Sequence, residues 1–269
     1  MAADTQNALA ALRKFKLERD DETDPGGRIY KDSLGNIYHS VTRILSATSD
    51  NTGLERWAAW VGEEAAATTR RVAATRGTLT HNNAEYLLKS AAKLARSTAN
   101  KRGLVRFDDN GLAHIPAPVT QWALKRIHPK LPSAGWSAAG FSRSLTGWIV
   151  ENVEGIHACE FSIHHPAGFA GTCDGLIQYK GKLTAADWKT TGNTKQIDSD
   201  HSYVAQVGAY ALGLEHLTGI QAEAGVIVLA RRTGQPQVVE LSPSELQAAK
   251  NAFMARVERY YKALEQPPA

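Results

Sequence analysis

The chain has 269 residues, of which 43% are hydrophobic and 22% charged, with a formal net charge of +4 and two cysteines. This is the composition of an ordinary globular protein, long enough for one large domain with a helical elaboration. It argues against a disulfide framework or zinc ribbon, because Cys159 and Cys173 form no Cys-x-x-Cys pair, and no apolar run approaches the roughly 18–20 residues that cross a bilayer.

Residues 1–27 are polar and lack the charged, apolar and small-residue order of a secretory signal. They are expected to form a flexible segment ahead of a single domain over residues 28–269, and the chain is expected to be cytoplasmic. RIYKDSLGNIYH predicts a hairpin turning at Asp32, Gly35 and Asn36. Residues 54–73 place Leu54, Trp57 and Val61 at helical spacing; Gly77 is expected to interrupt, and a second helix to cover residues 78–96. Residues 101–119 read as an irregular connection and 119–128 as a short helix. The helical part thus covers about 40–130.

A sheet core is expected over about 147–241. WIVENVEGIHACEFSIHH, FAGTCDGLIQYKG and KLTAADWKT read as three strands, the last two joined by the tight turn YKGK. Tyr203, Val207, Tyr210 and Leu214 then mark a helix, and AEAGVIVLARR and PQVVEL two further strands. Ser242, Pro243 and Glu245 fit N-cap, N1 and N3 of a last helix over about 243–265, with the stripe Leu246, Ala249, Phe253, Val257, Tyr260 and Leu264. The fold class is α/β, with a helical N-terminal half.

In AADWKT, Asp187 and Lys189 share one face of a strand and Trp188 takes the other. A surface ion pair is the plain alternative, but the preceding LTAA is too apolar and small for a fully exposed strand. Asp174 stands between residues that let the backbone bend, in GTCDG, and a hairpin about YKGK brings it toward Asp187. Two converging carboxylates suit a hard cation, magnesium or manganese, and a lysine beside it can orient a water. Glu160, one strand earlier, can face the same place. GLIQYKGKLT is not a P-loop, since five residues separate Gly175 from Gly181 where four are needed.

Between Arg70 and Arg106 nine lysines and arginines face one acid, Glu85. Such a block is either a solvated helical face or a grip for a polyanion, with Arg70, Arg71, Arg76, Lys89 and Lys93 as candidate phosphate contacts. Trp57, Trp60 and Tyr86 lie near it and could stack on bases, although core packing is the plainer role for Trp57. Inside the block His81 precedes Glu85 by one turn.

Glu160, GTCDG, DWKT, Gln206 and Tyr210 as Q-x-x-x-Y, His81 in RGTLTH, and SVTRIL at residues 40–45 together resemble the RecB-like exonuclease branch of the PD-(D/E)XK nuclease superfamily. The resemblance covers roughly residues 40–215. It implies a restriction-endonuclease-like core, a mixed central sheet flanked by helices. It implies one or two Mg²⁺ or Mn²⁺ ions held by His81, Asp174, Asp187 and the carbonyl of Trp188; Glu85, one turn after His81 on the same helical face, can orient the ring from behind. Lys189 matches the catalytic lysine, Glu160 a less constant acid, and Gln206 and Tyr210 a supporting pair one turn apart. No iron–sulfur cluster is expected, since neither cysteine has the right neighbours. The implied substrate is DNA, single-stranded or with a free end, in recombination, repair or replication in a bacterial or phage-infected cell. A recombinase, helicase or single-strand-binding partner is compatible with it, and a membrane is not. An inactive nucleic-acid-binding protein of the same fold and an endonuclease are the alternatives.

Overall fold

The computed structural model of the chain describes residues 12, 15–22, 24, 27–108 and 112–265. In chain order it comprises β1 (Glu18–Asp20), β2 (Ile29–Lys31), β3 (Ile37–Ser40), α1 (Val41–Ala47), α2 (Thr52–Val61), α3 (Glu63–Lys101), β4 (Arg106–Phe107) and β5 (Ala113–His114). There follow α4 (Ala117–Ile127), α5 (Gly135–Asn152), β6 (Val153–His165), β7 (Phe169–Tyr179), β8 (Lys182–Thr191), α6 (Ser202–Thr218), β9 (Ala224–Arg231), β10 (Gln237–Leu241) and α7 (Pro243–Glu265).

Eight strands form one mixed sheet in the order β1-β2-β3-β7-β8-β9-β10, with β6 antiparallel along the other edge of β7. Both faces are covered. Phe161, Ile163, Leu176, Leu183, Ile227 and Leu229 pack under α6 and α7, where Val207, Leu214 and Phe253 meet them. Ile177, Ala186, Trp188, Val226 and Val228 pack under α3, α4 and α5, against Leu87, Leu88, Leu124, Phe141 and Leu145. A strand buried on both sides reads as a continuous apolar run, which is why AGVIVLAR lacks alternation. The alternation of β8 is what divides its chemistry: Trp188 enters one core while Asp187 and Lys189 face the other side.

The predicted hairpin, tight turn and C-terminal capping box are all present. Asp32 accepts from the amides of Leu34 and Asn36 at the β2–β3 turn. Lys180 and Gly181 take φ of 49° and 73° at the β7–β8 turn. Ser242 Oγ accepts from the Glu245 amide at 3.3 Å, and Glu245 accepts in return from the Ser242 amide at 2.8 Å.

Several expectations are corrected. The helical break lies at Gly62, not Gly77: Gly62 takes φ 89°, and α3 then runs unbroken for 39 residues to Lys101. Space around Gly77 is open, so its lack of a side chain disturbs no contact. Residues 147–152 finish helix α5 rather than beginning a strand. The connection after α3 contains the small β4–β5 pair. Leu54 and Leu264, placed on apolar stripes, are 65% and 54% exposed. Residues 1–11 lie outside the described residues, but part of the stretch read as flexible is built in: β1 edges the sheet, and Leu12 and Leu17 are buried.

Candidate active site

The site grows from a gap in the sheet. Pairing of β8 with β7 runs from Tyr179 and Lys182 to Gly175 and Ala186, and stops there. On the same edge of β7, β3 pairs only Phe169 and Ala170. Residues 171–174 are left in a fork between β3 and β8. Backbone groups of a buried strand need other polar partners when a neighbouring strand is missing. Here ionisable side chains supply them: Asp174 accepts from the Trp188 amide at 2.6 Å, standing in for a strand beyond the end of the ladder.

Asp187 is fully buried, and Lys189 Nζ lies 2.6 Å from its Oδ2 and donates to its Oδ1 at 2.8 Å. Burial pushes the Asp187 carboxyl up to about 6 against the pull of Lys189. Burial works against the Lys189 ammonium too, yet the charges of Asp187 and Asp174 hold it above its ordinary value. Oδ2 of Asp187 has no aligned hydrogen-bond donor, so a buried lone pair is still open.

His81, from the middle of α3, places Nδ1 3.4 Å from Asp174 Oδ1. Burial disfavours its charge, but the adjacent Asp174 outweighs this and raises it to about 9. Asp174, although buried, is held below its ordinary value by His81, Lys189 and the Trp188 amide. Glu160 reaches the same spot from β6 with φ 47°, a left-handed conformation uncommon for a residue with a side chain. Burial, then the charge of Asp174, pushes its carboxyl up to about 8. Ligand atoms of His81, Glu160 and Asp174 all lie within 4.8 Å of one another.

All five side chains line one cavity of about 230 Å³. Gln206 and Tyr210 line it as well, and Gln206 Nε2 donates to the Tyr210 hydroxyl at 2.5 Å on the same face of α6. Burial keeps the Tyr210 phenol protonated by raising it well above its ordinary value. Glu85 is not among the residues lining this cavity. It pairs with Lys89 and opens, with Glu160, onto a neighbouring cavity of about 640 Å³.

Lys89 and Lys93 line that second cavity with Lys16 and Arg96, above a floor of Leu88, Ile115 and Ile156. The other candidate phosphate contacts are spread out. Arg70 and Arg71 are exposed on the first half of α3, with Arg70 3.4 Å from Glu63. Arg76 instead lays its guanidinium over Phe141 at 4.5 Å. Of the aromatic candidates, Trp57 is half-buried, whereas Trp60 and Tyr86 are 82% and 46% exposed.

Sequence reasoning missed part of the cavity wall. Arg19, Arg28 and Tyr30 come from the N-terminal segment. Thr42 and Ser40, the latter capping α1 by accepting from the Arg43 amide, come from SVTRIL. Nothing in the pattern around Arg19 and Arg28 marks them, because their place depends on β1 and β2 folding back beside β7.

The donor set, carboxylate oxygens with one imidazole, fits a hard divalent cation of the magnesium or manganese type. The open Oδ2 of Asp187 fits the same demand.

Mitochondrial genome maintenance exonuclease 1 of Homo sapiens is 32% identical over 117 residues, 42% of this chain and 34% of its own length. The protein of the same name from Xenopus tropicalis is 27% identical over 123 residues, 44% of this chain and 35% of its own. The matched stretch thus spans about a third of the length of these relatives. A solved structure from Eubacterium rectale aligns over 70% of this chain and 85% of its own, with 13% identity and a TM-score of 0.35, a likeness too loose to bear on function. The profile of the PD-(D/E)XK nuclease superfamily, by contrast, matches residues 6–268, nearly the whole chain, and the protein belongs to that superfamily.

Proposed function

We propose that the protein is a metal-dependent nuclease that hydrolyses phosphodiester bonds in DNA and works from strand ends. The observation that carries this reading is the convergence of His81, Glu160 and Asp174 within 4.8 Å in the cavity that also holds the Asp187–Lys189 pair.

His81, Glu160 and Asp174 would hold magnesium or manganese, with Asp187 Oδ2 as a further donor. The carbonyl of Trp188 leaves the strand on the same side as its amide, which points to Asp174, and is the remaining candidate. When bound, such an ion supplies positive charge to the scissile phosphate and acidifies water. Lys189, kept charged by two buried carboxylates, orients the attacking water and neutralises a phosphate oxygen. Gln206 and the protonated Tyr210 brace the floor beneath it. The basic wall of the neighbouring cavity grips phosphates without regard to sequence. A cavity of about 230 Å³ favours one strand over a duplex, and the relatives found are named exonucleases.

The test is digestion of end-labelled linear single-stranded, linear double-stranded and circular DNA with magnesium, manganese or EDTA. Loss of linear DNA that needs the metal, spares circles and disappears in Asp187→Ala is the expected result. Cutting of circles would make the protein an endonuclease. Salt-sensitive binding without cleavage would make it a binding protein on a nuclease fold.

A further inference from the structure

The carboxyl ends of β8 and β9 carry a strip of basic and aromatic side chains that, beyond Lys189, the mechanism above does not use. It begins at Lys189, whose Nζ sits 5.2 Å from the centre of the Tyr203 ring. Lys195 lies 5.1 Å from that ring and donates to the Tyr203 hydroxyl at 3.1 Å. The loop bearing Lys195 is fastened to β10 by paired hydrogen bonds with Gln237, and to the end of β9 by Arg231, which donates to Thr194. Arg231 is in register with Thr191, two residues beyond Lys189. Arg232 follows it and lies 5.2 Å over the ring of Trp136, at the start of α5.

Trp136 is 86% exposed. A lone exposed tryptophan is unremarkable, but the helix that carries this one is seated directly on the backbone of Arg232. One turn along the helix, Gly140 packs so closely on Arg232 that an added Cβ would come within 2.0 Å of the Arg232 carbonyl oxygen. Among the described residues no carboxylate forms an ion pair with Lys195, Arg231 or Arg232. Asp198 and Lys195 both act on His201, and the Asp200 carbonyl accepts from Arg256. Cations without a direct ion pair on a surface continuous with the catalytic lysine attract a polyanion, and a bare indole beneath a guanidinium offers a face for an unpaired base.

We propose that this strip is a second contact site for a single nucleic-acid strand. Trp136 stacks an unpaired base, and Arg232, Arg231 and Lys195 take the flanking phosphates. In the sheet the strip lies on the β9 side of Asp174 and Asp187, and the Lys89–Lys93 cavity, lined by β6, lies on the other side, so the strand is held on both sides of the bond that is cut. This rests on the nuclease reading and adds to it the side on which the remaining strand lies.

The test measures binding in EDTA and cleavage in magnesium, using single-stranded oligonucleotides of about 6 and about 20 nucleotides, chosen to fall short of and to span both contact regions. Trp136→Ala and Arg232→Ala should each weaken binding of the longer strand about five- to tenfold, while leaving the shorter strand and kcat unchanged. Trp136→Phe should retain the longer strand's affinity. Arg232→Ala should also flatten the salt dependence by about 0.7 in log–log slope. Wild-type protein that cuts, with Trp136→Ala binding the longer strand equally well, would overturn the strip alone. Wild-type protein that neither binds nor cuts would overturn the nuclease reading, and the strip with it.

Discussion

The two halves of α3 have the same kind of sequence and very different surroundings. From Glu63 to Leu79 the helix buries only Ala66; from Thr80 onward it buries Thr80, Asn83, Ala84, Leu87, Leu88, Ala91, Ala95 and Ala99. His81 stands on the first turn of the packed half, whereas Arg70 and Arg71 stand on the free half. The difference separates two tasks. A group that ligates or orients must be held to a fraction of an ångström by its neighbours, while a group that grips a phosphate backbone needs only reach. The helix therefore passes from an exposed basic surface into the wall of the candidate active centre where its packing begins.

The largest expected effect is at the buried centre. Lys189→Met should lower kcat by about 10²–10³-fold or more with strand binding retained, whereas Arg70→Ala should leave kcat unchanged and act on affinity and its salt dependence. Single-turnover cleavage beside equilibrium binding separates the two. Equal losses of kcat would erase the distinction between the halves.

Stability should divide along the same line. Leu87→Ala removes a fully buried side chain from the packed half and should destabilise by about 2–5 kcal/mol in denaturant unfolding. Val72→Ala, at a 51% exposed position on the free half, should change stability by less than about 0.5 kcal/mol.

The packed half should also respond to pH. Glu160 rises from 4.5 to about 8 on folding and His81 from 6.5 to about 9. In both, the folded state binds the proton more tightly than the unfolded chain. Stability of the metal-free protein should fall as pH rises from about 4.5, above which the unfolded chain releases the Glu160 proton, to about 9, where the folded state releases that of His81. A divalent cation needs these groups deprotonated, so manganese should raise Tm more at pH 8.5 than at pH 6. Thermal melts across that range, with and without manganese, check the sign. A Tm gain from manganese that is flat with pH would remove the two groups from the site. A local effect is the sharpest probe of the free half: Ala67→Gly should cost about 1 kcal/mol by helix propensity alone, seen as local loss of amide protection rather than a large fall in Tm.

Much of the centre was legible because its signals are local. Asp187 and Lys189 share a face by strand period, Asp174 lies one tight turn away, and Gln206 and Tyr210 are one helical turn apart. What sequence left unread depends on distant packing. Helix α5 has Ala138, Phe141, Leu145, Trp148 and Ile149 at helical spacing, but Gly140 and Gly147 obscure it. Gly140 is there because the helix presses on the backbone of Arg232, a contact no local rule shows. Gly62 and Gly77 look alike in sequence, yet only Gly62 adopts positive φ, and only there does the chain turn. Arg19 and Arg28 reach the cavity because a short edge strand folds back across the start of the chain, a long-range event with no periodic signature.

The fork between β3 and β8 gives aperture and chemistry separate genetic addresses. The acids, the lysine and their bracing helix are written in residues 160–210, while one jaw of the opening is written before residue 45 and is joined to β7 through only two residues. Drift in that early stretch can reshape the mouth of the cavity without moving the acids, the lysine or the helix that braces them, so a lineage built on this plan can change its diet while keeping its teeth.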